Sequence, residues 1–439
     1  MMENNKHSNA FFSVKGHPFL TRTPKFSKGT GLENQQFLEL SSAEFSAFVA
    51  KRDAIHFQQT KAFGDLQQSL GRVPLYFAVK NGADILAAIL ITLVKVRFGY
   101  LAEVHGNPYF SQAFSDNEEL ITGLTAVLKK RGVLKLVIHS NKKVAQYADD
   151  WEKTVACNQD LSDFYTQLGF AEGQLNAFEK DFRYNYGKNL SEFETFDQLQ
   201  QSFSENALRN IKKAQKFGIV IEELGYDELA EFKKVIDEAG ERRNFATRDL
   251  AYYQSAFKAY GEQVKFVTAK LNFVNYSATI EKESETLLKA MAKLQSQPEN
   301  DKNLNKLKQF QAQFASLAKR KKEAVALAQE YGDKDVILAA AQFFIMPNEV
   351  LYMFSGMYSQ FAQFSAPFLI QANMMRYAFE HKIDFYNFLG VNAPDKSDQG
   401  VLKFKQNFKG FIWQSSGNYE LPINPLLNKM TEFFKTLVG

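Results

Sequence analysis

The chain has 439 residues, 45% hydrophobic and 23% charged, with 24 Gly, 10 Pro and a net charge of +4. That balance excludes a disordered or collagen-like chain, and so small a basic excess does not by itself mark a nucleic-acid binder. Cys157 is the only cysteine, which excludes an intrachain disulfide framework and suits a reducing compartment.

Residues 1–36 mix Asn, Ser, Lys, Gly and His without periodicity and read as a loosely packed arm with no apolar leader core, so a cytoplasmic location is expected. Further on, Ser41-Ser-Ala-Glu44 has the spacing of a capping box and predicts a helix start. Val73–Val79 and Ile85–Val96 predict two strands turned at Asn81-Gly82. The apolar run 85–94 is about half the length of a bilayer span and reads as a buried strand. A helix over 117–131 leads into a strand at 133–139, a helix over 162–168 follows, and a strand is expected near 178–182.

A second run of the same kind starts near Leu190, with a helix over 207–217, a strand at 218–223, a helix over 226–239 and a strand at 264–271. Between Tyr276 and Tyr331 the composition changes: Gly is absent, only Phe310 and Phe314 are aromatic, and Lys, Glu, Gln, Ala and Leu dominate. Leu287, Met291 and Leu294, then Leu304, Leu307, Phe310, Phe314 and Leu317, recur at three and four. That spacing, with a turn at 296–301, predicts two antiparallel helices facing each other along apolar stripes. Strands at 336–345 and 350–354, a helix over 367–381, a strand at 385–389 and a helix over 424–437 complete an α+β pattern.

Common catalytic signatures are missing. No two of the six histidines have the spacing of a metal site on one helix or loop, so no metal is expected, and no P-loop, dinucleotide or nucleophile-elbow motif occurs. Cys157 has no histidine near it in sequence and reads as structural. Three tracts remain. Arg209, Lys212, Lys213 and Lys216 share one face of a predicted helix, which is either a solvated face or a phosphate and nucleic-acid contact. Arg248 and Tyr252 are four apart, a spacing that suits anion binding or a helix start capped by Thr247 or Asp249. Gly400-Val-Leu-Lys-Phe-Lys-Gln-Asn-Phe408, after Tyr386-Asn-Phe-Leu-Gly-Val391, sets cations beside rings at what reads as a sheet edge.

Taken in order, Leu208-Arg-Asn-Ile-Lys-Lys-Ala-Gln-Lys-Phe-Gly-Ile219, Phe245-Ala-Thr-Arg-Asp249 with Tyr252-Tyr253, the helical insertion, Tyr386–Val391 and above all Gly400–Phe408 resemble the Fem family. These are the tRNA-dependent aminoacyltransferases that build peptidoglycan cross-bridges. The resemblance runs from about Phe37 to the end. It implies two GNAT-like acyltransferase domains, at 37–188 with a returning C-terminal helix at 417–439, and at 189–275 with 332–416. Residues 276–331 would form an inserted coiled-coil hairpin. It also implies transfer of an amino acid from aminoacyl-tRNA to the side-chain amine of the stem-peptide lysine, or to a growing bridge. The acceptor would be UDP-MurNAc-pentapeptide or a lipid-linked precursor, the latter bringing the chain to the inner membrane surface. By carry-over, Arg248, Tyr252 and Lys405 would bind the precursor's pyrophosphate or sugar-peptide, with Phe404 beside the reacting groups; Lys405 and Phe404 are the catalytic candidates, and Phe354, standing where some members have Tyr, is a further substrate-binding one. The tRNA would take the face of Arg209, Lys212, Lys213 and Lys216. No cofactor is implied, because an aminoacyl ester is already activated and needs mainly positioning and oxyanion stabilisation. Two other readings fit the same pattern: an acyl-CoA-dependent N-acyltransferase, for which only an imperfect Gln68-Ser-Leu-Gly71-Arg-Val73 loop is present, and a non-enzymatic RNA-binding protein.

Overall fold

The computed structural model describes residues 35–156, 160–174, 183–298, 300–394 and 399–438. Expectations for the arm before residue 35, for Cys157 and for a strand near 178–182 lie outside them.

The strands are β1 (Gln35–Leu40), β2 (Val73–Asn81), β3 (Asp84–Val96), β4 (Gly99–His105), β5 (Val133–Tyr147), β6 (Lys153–Ala156), β7 (Ala171–Glu172) and β8 (Tyr184–Asn189). They continue with β9 (Val220–Glu223), β10 (Val264–Asn272), β11 (Asp335–Ile345), β12 (Glu349–Met357), β13 (Phe385–Val391) and β14 (Phe411–Pro422). All belong to one sheet, in the order β1-β2-β3-β4-β5-β14-β8-β13-β12-β11-β10-β9, with β6 beside β5 and β7 beside β14.

The join is β14. Its first residues pair with β8 (Ile412 with Tyr186) while its full length pairs with β5 (Tyr419 with Ile138), so the last strand in sequence lies in the middle of the sheet. Residues 417–422, expected in a terminal helix, therefore belong to a strand, and the helix is Pro425–Val438. Strand β13 is also interior, between β8 and β12, where the sequence suggests an edge.

Local chemistry explains most element boundaries. Glu44 N–H donates to Ser41 Oγ (3.2 Å) and Ser41 N–H to a Glu44 carboxylate oxygen (2.8 Å), the capping box expected at the start of the helix Ser42–Val49. Gly82, at φ +61, turns β2 into β3. The compositional break at 276–331 corresponds to helices Phe273–Gln295 and Asp301–Tyr331. Leu287, Met291, Leu294, Leu307, Phe310 and Phe314 of the expected stripe are half-buried and Leu317 is buried, whereas Leu304, in the first turn of the second helix, is exposed. The foot of the hairpin is firmer than its tip: Phe273, Tyr276 and Ile280 are buried in the body, beside Ala324 of the returning helix.

Three apolar clusters fill the two faces of the sheet. One lies under the helix Phe114–Lys130, and another under Glu205–Lys216, Ala366–Glu380 and the hairpin foot. The third spans both ends of the molecule, because residues of the helices Ser42–Val49 and Lys61–Ser69 share it with residues of Leu229–Arg243 and Leu250–Tyr260. Phe57 stacks on Phe344 at 4.7 Å, Tyr260 lies 4.6 Å from the same ring, and Tyr260 O–H donates to the Phe57 carbonyl (2.8 Å). Fully buried Phe344 is thus one of the contacts through which the two ends meet on this face, beside the Ile55 N–H bond to Asn348 (2.7 Å). Phe344→Ala should cost about 3 to 5 kcal/mol in denaturant unfolding; a loss below about 1 kcal/mol would show that the ends are held together elsewhere.

Candidate active site

The sheet contains two parallel strand pairs, and they differ. In β4–β5 the ladder runs from Tyr100 opposite Val133 to His105 opposite His139, the full length of β4. In β12–β13 it covers only Glu349, Val350 and Leu351, opposite Phe385, Tyr386 and Asn387. Beyond Leu351 the ladder ends, and among the described residues the side of β12 that faces β13 has no further ladder partner.

The opening is built by β13. Its register against β8 shifts between Asn387 and Leu389, and Leu389 sits at φ +57, a conformation that disfavours a branched side chain by roughly 1 kcal/mol. Two contacts impose it. Leu389 N–H donates to the Asn387 side-chain oxygen (2.9 Å), and Lys405 Nζ donates to the carbonyls of Leu389 (3.0 Å) and Gly390 (2.5 Å). These carbonyls thereby gain a donor on a strand that keeps β8 beside it, Leu389 opposite Tyr186 and Gly390 opposite Asn185. The Asn387 amide donates in turn to buried Glu349 (3.0 Å). Desolvation pushes the Glu349 carboxyl up to about 7 and pulls the Lys405 ammonium down to about 7.

Of the residues singled out from the sequence, three come together. Arg248 lies 5.3 Å from the centre of the Tyr252 ring, and Tyr252 lies edge-on to Phe354 at 6.2 Å. The helix begins later than a shared Arg248–Tyr252 face would require: it is Leu250–Tyr260, capped by Asp249, which accepts from Tyr252 N–H (2.8 Å). Thr247, the other expected cap, donates to Asp237 instead (2.6 Å). Burial raises the Tyr252 phenol while the Arg248 charge opposes the shift. Arg248 is exposed and has no ion-pair partner among the described residues. Beside it, the loop 244–247 and the end of the helix Leu229–Arg243 enclose a cleft of about 390 Å³. Gly240 is needed there, since a Cβ would lie 2.6 Å from the Thr247 methyl and 2.9 Å from the Phe245 carbonyl.

Lys405 reaches this group only through Leu389, whose side chain packs on the same apolar cluster as Tyr252 and Phe354. Its ammonium is buried and faces carbonyls rather than a cleft. Phe404, on the same helix Gly400–Gln406, is half-buried and edge-on to Phe368 at 5.1 Å. The four cations of the basic face lie on the exposed side of the helix Glu205–Lys216, whose first turn meets the end of the Phe404 helix through Asn206, which donates to Asn407 (2.9 Å). Lys216 pairs with Glu283 of the hairpin (3.1 Å), Arg209 donates to Asn206 (2.8 Å), Lys213 lies 5.7 Å from the Phe217 ring, and Lys212 is exposed.

Sequence reasoning missed Glu349 and Asn387, the polar pair behind the bulge; an Asn between Tyr386 and Phe388 in an apolar strand was the available signal. It also missed a histidine cluster. Spacing along the chain cannot show it, because His105 and His139 lie on neighbouring strands, where pairing sets them opposite each other beside Glu103.

The buried carboxyl has a consequence for stability. A Glu349 whose folded value of about 7 lies above its unfolded value of 4.5 adds no penalty below pH 4.5 and a growing one as pH rises through 7. Wild-type protein should therefore lose on the order of 3 kcal/mol between pH 4.5 and 8 from this group, and Glu349→Gln should flatten that limb in urea unfolding. An unchanged profile would remove Glu349 as its source.

The wider comparisons agree with this architecture. The FemAB family's sequence profile matches residues 40–436. The aminoacyltransferase FemA of Staphylococcus aureus strain MRSA252 is 30% identical over 410 residues, covering 89% of this chain and 96% of that protein, and FemA of strain N315 matches to the same extent. The crystal structure of FemX superposes with a TM-score of 0.73 at 20% identity, over 90% of this chain and 99% of that one, which shows a shared fold. By profile and by identity, the chain belongs to the FemAB family.

Proposed function

We propose that this chain is an aminoacyltransferase that moves an amino acid from aminoacyl-tRNA to the side-chain amine of the stem-peptide lysine, or to a growing bridge, of a peptidoglycan precursor. The observation that carries the reading is the 30% identity spanning nearly the whole length of a protein named aminoacyltransferase FemA. In this reading the chain comprises two acyltransferase-like units with the helical hairpin inserted in the second, and β14 returns to the first.

The chemistry is nucleophilic acyl transfer. A neutral amine attacks the ester carbonyl of the aminoacyl-tRNA to form the C–N bond, the negative charge on the carbonyl oxygen is stabilised, and the acyl C–O bond breaks as the proton lost by the amine passes to the departing ribose oxygen, which leaves as the tRNA hydroxyl. The end of the β12–β13 ladder at Leu351, in mid-sheet, is where such a carbonyl would lie in this reading. In this reading Arg248 holds an anionic group of the precursor, phosphate or carboxylate, with Tyr252 and Phe354 against its apolar part, and the proximity of the three side chains supports it. Lys405 acts as a positioning residue in this reading, since its ammonium holds the turned carbonyls of Leu389 and Gly390, and Phe404 keeps its helix against Phe368. The deciding assay is transfer of a labelled amino acid from aminoacyl-tRNA to UDP-MurNAc-pentapeptide and to the lipid-linked precursor, with acyl-CoA as the competing donor. Product from acyl-CoA alone would sink the proposal.

Arg248→Gln should weaken precursor binding about tenfold or more, as loss of a charge-assisted contact of about 1.5 to 3 kcal/mol would; unchanged affinity in calorimetry would remove Arg248 from the site. Lys405→Met, by contrast, should lower kcat more than it raises KM.

The basic face is proposed to contact the tRNA. Lys212→Gln with Lys213→Gln should raise KM for aminoacyl-tRNA and flatten its dependence on salt, with precursor affinity unchanged. Equal salt slopes in variant and parent would mean that the face is only solvated.

A further inference from the structure

We propose that Glu103, His105 and His139 form a binding site for a divalent transition-metal ion, best suited to zinc, on the closed parallel seam β4–β5. The inference stands apart from the transfer reaction and would hold whatever acyl group the protein moves.

The donor set is two imidazoles and one carboxylate, with their ligand atoms within 4.8 Å of one another. His105 Nε2 lies 3.4 Å from a Glu103 carboxylate oxygen, about the edge of a tetrahedron whose ligands stand roughly 2.0 to 2.2 Å from a central zinc. Register assembles the set: Glu103 and His105 are two apart on β4 and so project from one face, and His139 is the direct partner of His105 on β5.

The surroundings fix these side chains as a ligand shell requires. His139 Nδ1 lies 3.2 Å from the Asn418 side-chain oxygen, an acceptor that favours the proton on Nδ1 and leaves the lone pair on Nε2, the tautomer a metal-bound histidine needs. Phe63 meets the His105 ring edge-on at 5.5 Å, and the Gln59 amide donates to the His105 carbonyl (2.9 Å) and to that of Leu90 (3.1 Å). The segment after β4 is tied to β5 just beyond His139, Ser140 O–H donating to Asn107 (2.7 Å) and Asn107 to Asn141 (2.8 Å). Three protein ligands leave a coordination position for water or an oxygen donor.

Two features oppose binding and make the idea testable. The His105 and His139 rings are nearly parallel, 13° apart with centres 4.8 Å apart, so one must turn about its Cβ–Cγ bond before both lone pairs converge. Arg72 lies 3.4 Å from the same Glu103 oxygen and must release it; its other partner, the Gln67 side-chain oxygen at 2.9 Å, can keep it.

Full-length protein, stripped with chelator and dialysed against zinc chloride, should retain one zinc per chain by mass spectrometry. Cobalt(II) in its place should show the visible absorption of a four- or five-coordinate nitrogen and oxygen site. His105→Ala, His139→Ala and Glu103→Gln, each checked for native circular dichroism, should weaken retention at least about tenfold. Arg72→Gln should strengthen it, a result that a merely structural cluster would not produce. No zinc retained by the parent at micromolar free metal overturns the proposal, and so does parental retention in both histidine variants, which would place the ion on other ligands.

Discussion

The open seam depends on where two backbone carbonyls point. A strand inside a sheet that loses its neighbour leaves carbonyls unpaired in a dry interior, at roughly 1 to 3 kcal/mol each. In β13 the ammonium of Lys405 takes that role for Leu389 and Gly390, from a helix 15 residues further along the chain. Without it, the carbonyls would favour either a regular ladder with β12, which closes the gap, or water. The left-handed Leu389, the Asn387 turn and the buried Glu349 are parts of the same arrangement, because each fixes the strand at the point where it leaves the sheet.

The two parallel seams thus make opposite uses of similar strand geometry. At β4–β5 the ladder continues from Tyr100, past a register shift before Leu101, to the end of β4, and the chemistry there lies in side chains on one face. Glu103, His105 and His139 occupy that face. At β12–β13 the side chains near the gap are largely apolar or aromatic, and what the seam offers is space and backbone. The continuous sheet holds both seams in one frame, since β14 pairs with β5 on one side and β8 on the other.

How much of this was legible in the sequence follows from the range of each interaction. The capping box, the Asn81-Gly82 turn and the basic helix are local, and local spacing specified them. The helices at 273–295 and 301–331 were legible for the same reason, as heptad-like stripes are written along one element. Strands β4 and β14 were not foreseen: β14 mixes Gln414, Ser415, Ser416 and Asn418 into its run, because those side chains meet polar partners across the sheet rather than a uniform apolar core. Missing β4 hid His105, and with it the cluster. At the other seam, Arg248, Tyr252 and Phe354 were singled out and do meet, although the helix that should have aligned the first two begins after Arg248. The environment of Lys405 could not be read at all, because nothing in Lys-Phe-Lys states which cation turns inward; Leu402 and Lys405 are buried while Lys403 is exposed.

That burial changes what Lys405 can do. An exposed lysine near an anionic substrate is a point charge, and its loss weakens binding. A buried one with two carbonyl partners and a value lowered to about 7 is held near the point of giving up its proton at physiological pH, where hydrogen bonding to the carbonyls favours the charged form and desolvation the neutral one. Glu349, behind the same bulge, is balanced at about the same pH from the acid side. Both groups are buried and, among the described residues, have no directly opposed charge, and each is tied to β13 by hydrogen bonds, Glu349 through the Asn387 side chain and Lys405 through the backbone. The protonation of the site is therefore coupled to the shape of β13, and a change in the gap that altered the water around either group would shift its charge. A seam held by an exposed ion pair would lack this coupling, because surface pairs are worth little and solvent would buffer them.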